Sequence, residues 1–164
     1  MRSGGEVLQV GCLIAYGVVL IVAAWRDWRT LRIANAFPLT IVGVFGIWAV
    51  SGLASDRMSL AEIGLSAALS TGLLIAGAVA FAIGALGGGD AKLLAAASLL
   101  AGPAFLVEFL LVVALAGGAV SLFVLMGLAG ETLSARDEER HRRVPYGPAI
   151  AAGGLAVALA RIVG

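Results

Sequence analysis

Cysteine, histidine and charge are all scarce in this chain. The single cysteine, Cys12, lies inside the first apolar run. One cysteine excludes an intrachain disulfide framework and a cysteine-rich zinc site. The lone histidine, His141, stands in a charged stretch with no second histidine or cysteine near it. No metal and no cofactor are expected, and no nucleic-acid partner. Charged residues make up only 13% of the sequence, and they fall in a few short clusters. The net charge of +1 says less than where those charges sit.

Hydrocarbon is what the chain has in plenty. Hydrophobic residues are 61% of the total and the mean hydropathy is +1.05, well above the soluble range. Between the charged clusters, apolar runs reach the ~20 residues of helix that a bilayer requires. The expectation is an all-α, polytopic integral membrane protein with a single domain over residues 1–164. The N-terminal run ends in Ala24-Trp25-Arg26-Asp27-Trp28. That is no small-residue cleavage site, so the run reads as a membrane helix, not a secretory signal.

The first helix is expected over Glu6–Trp25, followed by a polar hinge, Arg26–Asn35, whose three arginines and Trp28, with Trp25 just before, suit an interface. A second helix, Ala36–Leu53, takes Pro38 in its first turn, where the missing N–H does no harm. After the turn Ser55–Met58, Ser59 and Glu62 read as a capping box opening a third helix to about Leu86. Ala76, Ala80 and Gly84, four apart, suggest its packing face. A helix from near Asp90 to Gly102-Pro103 is only about a dozen residues, short for a span. A fifth runs from Pro103 to about Gly130, with Glu108 near its start favouring the helix dipole. Residues Glu131–Arg143 form a charged loop, and Pro145-Tyr146-Gly147-Pro148 opens a last helix ending near Val163.

Basic residues orient the spans. With the N-terminus outside, Arg26, Arg29, Arg32, Lys92, Arg136, Arg140, Arg142 and Arg143 face the cytoplasm, leaving Arg2, Arg57 and Arg161 outside. Asp27 and Asp90 then share the cytoplasmic side, each at a helix end. A carboxylate so close to hydrocarbon is costly and usually functional. Gly87-Gly88-Gly89 precede Asp90; glycine lets a backbone turn sharply and lets another chain come close. Two neighbouring carboxylates cannot easily both ionise and titrate as a unit. The ionised member can take a proton from an attacking water, while the protonated one hydrogen-bonds the peptide carbonyl, as in aspartic proteases. No serine or cysteine nucleophile is well placed. Lys92, two residues past Asp90, points to another helix face and suits snorkelling or substrate orientation. The alternative is that both aspartates are ordinary interfacial carboxylates beside Arg26, Arg29 and Lys92.

Three segments resemble the type IV prepilin peptidases, membrane aspartic proteases that remove prepilin leaders at the cytoplasmic face. Gly87-Gly88-Gly89-Asp90-Ala91-Lys92-Leu93 is similar to their G-x-G-D-x-K-L. Asp27 followed by Arg32-Ile33-Ala34-Asn35 resembles the first aspartate and R-I-P-N, with Ala34 in place of the proline. Val144–Ala149 resembles V-P-Y-G-P-A at the start of the final helix. The resemblance implies Asp27 and Asp90 as the catalytic pair within about six membrane helices. It implies substrate-binding or structural roles for Gly87, Gly89, Lys92, Asn35, Tyr146, Gly147 and Pro148. Asn35 can still cap the second helix. The implied partners are prepilin and pseudopilin precursors, cleaved after a glycine, and the lipid bilayer of the bacterial inner membrane. Larger members carry a cysteine-bearing N-terminal domain and methylate the new N-terminus. This chain resembles the short Tad/Flp-pilus peptidases, so peptidase activity without methyltransferase activity is expected. Small-residue faces would allow a homodimer without demanding one. Asp137, Glu138 and Glu139 would attract a basic leader, although arginines share their loop. Two other functions use the same residues: a small transporter with Asp27 and Asp90 as a proton relay, or a non-catalytic subunit of a secretion machine.

Overall fold

A computed structural model describes residues 4–31, 33–126 and 146–163 of the chain. Arg32, the charged loop with His141, Asp137, Glu138 and Glu139, and Val144-Pro145 lie outside the described residues. So do Arg136, Arg140, Arg142 and Arg143. All regular structure among the described residues is helical: α1 (Gly4–Thr30), α2 (Ala36–Ala54), α3 (Leu60–Ala82), α4 (Gly88–Leu125) and α5 (Gly147–Val163). The first four are long and apolar enough to cross a membrane, and α5 is a shorter apolar helix.

Helix α1 runs a full turn beyond the expected Trp25. Leu31 closes it with φ 50°, its N–H donating to the Asp27 carbonyl at 2.8 Å. The polar hinge therefore shrinks to a few residues, and Asp27 sits on a helix, not after one. Trp25 is 63% exposed and carries the Arg29 guanidinium 4.6 Å from its ring centroid. That pairing suits a membrane–water boundary, where aromatic and basic side chains anchor a span.

The capping box forms as expected. Ser59 Oγ accepts from the Glu62 N–H at 3.2 Å, and Glu62 Oε2 accepts from the Ser59 N–H at 2.8 Å. Each bond satisfies an N–H that the helix start would otherwise leave open. The packing face of α3 differs from expectation. Ser66, Ser70 and Gly77 are its buried residues, while Ala76 and Gly84 are exposed. α3 ends at Ala82, four residues early, and Gly84 takes the positive φ of the following turn.

The path of α4 decides the architecture. Gly102, with φ 59° and ψ −172°, breaks it into two limbs. The first limb, 88–101, runs antiparallel to α3: Gly77 meets Ala91, Ser70 Oγ donates to the Ala95 carbonyl at 2.7 Å, and Gly102 lies against Ser66. The second limb runs antiparallel to α5. Phe105 is stacked on Arg161, Phe109 and Val113 touch Gly153, and Gly117 meets the Tyr146 ring. The chain thus doubles back at Gly102-Pro103, where the sequence expects one helix to stop and another to begin. Helix α1 packs along α5, with Tyr16 and Leu20 pressed against Gly154. Tyr16, Leu20, Ile41, Leu93, Leu100 and Phe109 are fully buried at the centre.

Candidate active site

One end of the bundle gathers the end of α1 and the starts of α2, α4 and α5. Asp27 is 3% exposed. Its Oδ2 accepts a hydrogen bond from the backbone N–H of Gly147 at 2.8 Å, so the carboxylate caps the start of α5 across the fold. The first N–H groups of a helix lack internal partners and carry its positive dipole end, which suits a carboxylate acceptor. Glycine is required there by space. A β-carbon on Gly147 would lie 2.7 Å from Asp27 Cβ and 2.8 Å from Oδ2. Pro148 follows in the first turn of α5, and the Tyr146 ring covers Gly117 on the second limb of α4.

Asp90 sits in the first turn of α4. Its side chain folds back over Gly87, where any β-carbon would collide with the carboxylate, and its Oδ1 is buried. Helix α4 opens two residues before Asp90, with the Ala91 N–H donating to the Gly87 carbonyl at 3.0 Å. The three glycines serve close approach and not the sharp turn expected of them; the positive φ angles fall at Gly84 and Gly102 instead. Gly89 faces the α1–α2 connection, with a built β-carbon 3.0 Å from Ile33 Cβ and 3.2 Å from its carbonyl oxygen. Gly88 faces the Phe81 ring.

Asn35 stands at the N-cap position of α2 but does not cap it. Its backbone is helical (φ −59°, ψ −17°) and its side chain makes no cap bond. A capping side chain needs an extended backbone to reach the N–H groups behind it. Asn35 Oδ1 instead accepts from Lys92 Nζ at 3.0 Å, tying α2 to the start of α4. Asp27 with Gly147, Asn35 with Lys92, and Ile33 with Gly89 thus bring all three motif segments to one end of the bundle. Arg26, Arg29 and Lys92 share that end, and Arg57 and Arg161 lie at the other. Among the described residues, no three of His, Cys, Asp or Glu gather as a metal site requires.

Residues 14–122, Asp27 and Asp90 among them, match the type IV leader peptidase family. The chain belongs to that family. The match covers α1 to the second limb of α4 and stops before Tyr146-Gly147-Pro148. No curated protein and no solved structure matches the chain. As a leader peptidase family member with several membrane-length helices, it is a multi-pass membrane protein of a proteolytic family whose substrates are prepilins.

Arg161 escaped the sequence reading as a structural residue. It is half-buried. Its Nε donates to the Leu100 carbonyl at 2.9 Å and Nη2 to the Ala101 carbonyl at 3.0 Å. It also stacks on Trp48, 4.9 Å from the ring centroid. A lone arginine in the last turn of an apolar helix was the available signal, because a cation there can bind carbonyls at a helix end.

Proposed function

We propose that the chain is an aspartic endopeptidase that removes the leader of Flp/Tad-type prepilins and pseudopilins, with Asp27 and Asp90 as its catalytic pair. The observation that carries this reading is the convergence just described. The segments bearing the two aspartates and the Tyr146–Pro148 turn meet at one bundle end, within a chain of the leader peptidase family. One carboxylate holds a proton and the other is ionised. The ionised member takes a proton from water as its oxygen attacks the scissile carbonyl carbon. The protonated member hydrogen-bonds the carbonyl oxygen, and the proton taken up passes to the leaving amine as the C–N bond breaks. Gly87 leaves room for the Asp90 carboxylate and Gly89 lets the start of α4 pack on Ile33, so both support the placement of Asp90. The bias of basic residues supports an N-terminus outside, with the aspartates facing the cytoplasm in a bacterial inner membrane. The new N-terminus is left unmethylated by this chain.

The test is cleavage of a Flp-type prepilin in membranes by the wild type, Asp27→Asn and Asp90→Asn, with abundance matched. Loss of cleavage in both variants is the expected result. Cleavage by either variant rejects the two-aspartate mechanism. Proton flux that depends on these aspartates, without proteolysis, would favour a transporter. The product mass reads methylation directly.

A further inference from the structure

The first limb of α4 is too short to fill its own end of the bundle. Residues 88–101 make roughly 21 Å of helix, against the ~30 Å of hydrocarbon. Beyond Gly102, at the end away from the aspartates, lies a recess with two lobes of about 410 and 210 Å³. The lobes share Gln9, Trp48, Arg57 and Arg161, so both guanidinium groups face one space. A carboxylate stands in each lobe, Glu6 in the larger and Glu62 in the smaller. Arg57 Nη2 donates to Glu6 Oε1 at 2.6 Å. Arg161 forms no ion pair among the described residues. Its Nε and Nη2 go to carbonyls, while Nη1 has no hydrogen-bond partner among the described residues and stays accessible. The wall also carries Leu13, Trp48 and Phe105. Helices α1, α3 and α5 all line the recess, yet α3 packs along neither of the other two.

We propose that this recess binds the headgroup of a zwitterionic phospholipid of the phosphatidylethanolamine type. Its phosphate sits between Arg57 and Arg161, and its ammonium sits at Glu6. Guanidinium groups match phosphate oxygens in geometry as well as charge. A carboxylate accepts several donors, so Glu6 keeps Arg57 while taking an ammonium. Two cations and two carboxylates line the space, so a plain anion meets repulsion along with attraction. A phosphate that brings its own ammonium meets a complement for both charges. The place at a bundle end and the Trp48 and Phe105 rings choose a lipid over a free phosphate ester. Tryptophan favours headgroup depth, and pockets between membrane helices that carry basic side chains suit lipid headgroups. The bound lipid ties α3 to α1 and α5 where those helices do not meet. It thereby closes the end that the short limb leaves open. The proposal does not rest on the peptidase reading, and its test needs no cleavage.

The full chain, stripped of lipid in detergent, is given phosphatidylethanolamine or phosphatidylglycerol. Binding is read by native mass spectrometry and by the unfolding temperature. One phosphatidylethanolamine is expected to bind and raise that temperature, with phosphatidylglycerol about tenfold weaker. Arg57→Gln is expected to bind about tenfold more weakly, the scale of one charge-assisted hydrogen bond. Glu6→Gln should erase the preference for phosphatidylethanolamine. Ala160→Phe narrows the larger lobe without removing a charge and should also weaken binding, so the result does not hang on the Glu6–Arg57 pair as a folding contact. Arg29→Gln removes a cation from the opposite end and is expected to change nothing. Equal binding of the two lipids overturns the zwitterion. Unchanged binding in both Arg57→Gln and Ala160→Phe overturns the recess as the site, and so does an equal loss in Arg29→Gln. Displacement of the lipid by soluble glycerophosphoethanolamine at matched concentration makes the recess a site for a soluble ester and overturns the lipid.

Discussion

Asp27 has a structural bond as well as a proposed chemical role, and two substitutions separate them. Its Oδ2 accepts the Gly147 N–H at 2.8 Å in a buried setting. Asp27→Asn keeps an oxygen that can accept the same bond. Its cost is the difference between a charge-assisted and a neutral hydrogen bond, about 1 kcal/mol. Asp27→Ala removes the acceptor and leaves a buried N–H open at the start of α5. That costs about 1–3 kcal/mol for the unmet donor, plus the packing lost around a cavity. The expected order of stability is wild type, then Asn, then Ala, with about 1–3 kcal/mol between the variants. In a chain of this length that is a few degrees in unfolding temperature. Cys12 supplies the assay, because the lone cysteine is buried in α1 and a thiol-reactive fluorogenic dye reports its exposure on heating. Cleavage is measured on the same samples below their unfolding temperatures. The expected outcome is that both variants lose cleavage while only Ala loses much stability. Equal stability of Asn and Ala would show that the Gly147 bond carries nothing. Cleavage by the Asn variant would show that the carboxylate is not needed for chemistry.

Three further substitutions test the frame. Arg161→Leu removes two cation-to-carbonyl hydrogen bonds and the stacking on Trp48 and Phe105, and is expected to lower stability by about 3 kcal/mol or more; Arg161→Lys should recover part of it, since an ammonium cannot fork to both carbonyls. Gly102→Ala places a side chain at φ 59° and ψ −172°, 3.1 Å from Ser66 Oγ, and should cost about 1–3 kcal/mol by thermal unfolding. Gly77→Val drives a β-carbon to within 2.8 Å of Ala91 Cβ, so α3 must move off α4. A loss of about 1–3 kcal/mol is expected, with a fall in cleavage because Ala91 adjoins Asp90.

Signals confined to a few residues were readable in the sequence, and signals made by distant partners were not. The Ser59–Glu62 capping box and the break at Gly102-Pro103 depend on local chemistry, and both stand where expected. Asn35 reads as a helix cap because asparagine so often is one. Lys92, 57 positions away, claims its side-chain oxygen instead. The Gly147–Asp27 bond spans 120 positions, and nothing near either residue announces it. Helix α3 shows a different limit. It is apolar all round, with small residues on more than one face, so spacing alone cannot say which face packs. The four-residue spacing points to Ala76, Ala80 and Gly84, whereas Ser66, Ser70 and Gly77 meet α4. The Ser70 hydroxyl was the better guide, since a polar group in such a helix tends to turn inward toward an acceptor, here the Ala95 carbonyl.

The short first limb of α4 explains why the site needs this frame. Residues 88–101 make a helix of roughly 21 Å, well under the ~30 Å of hydrocarbon, so the limb has to end inside the membrane. A helix end there leaves carbonyls that neither water nor lipid satisfies. Here Arg161 meets two of the end carbonyls, Leu100 at 2.9 Å and Ala101 at 3.0 Å, while Tyr16 on Ala97 and Ser70 on Ala95 tie the limb to α1 and α3 one turn earlier. With a cation bound at its C-terminal end, the limb's dipole also favours an anion at its N-terminal end, where Asp90 stands. Arg161 and Asp90 thus lie at opposite ends of one helix and stabilise it in the same sense. Removing Arg161 should therefore disturb the placement of Asp90 from the far side of the bundle, although the two side chains never touch.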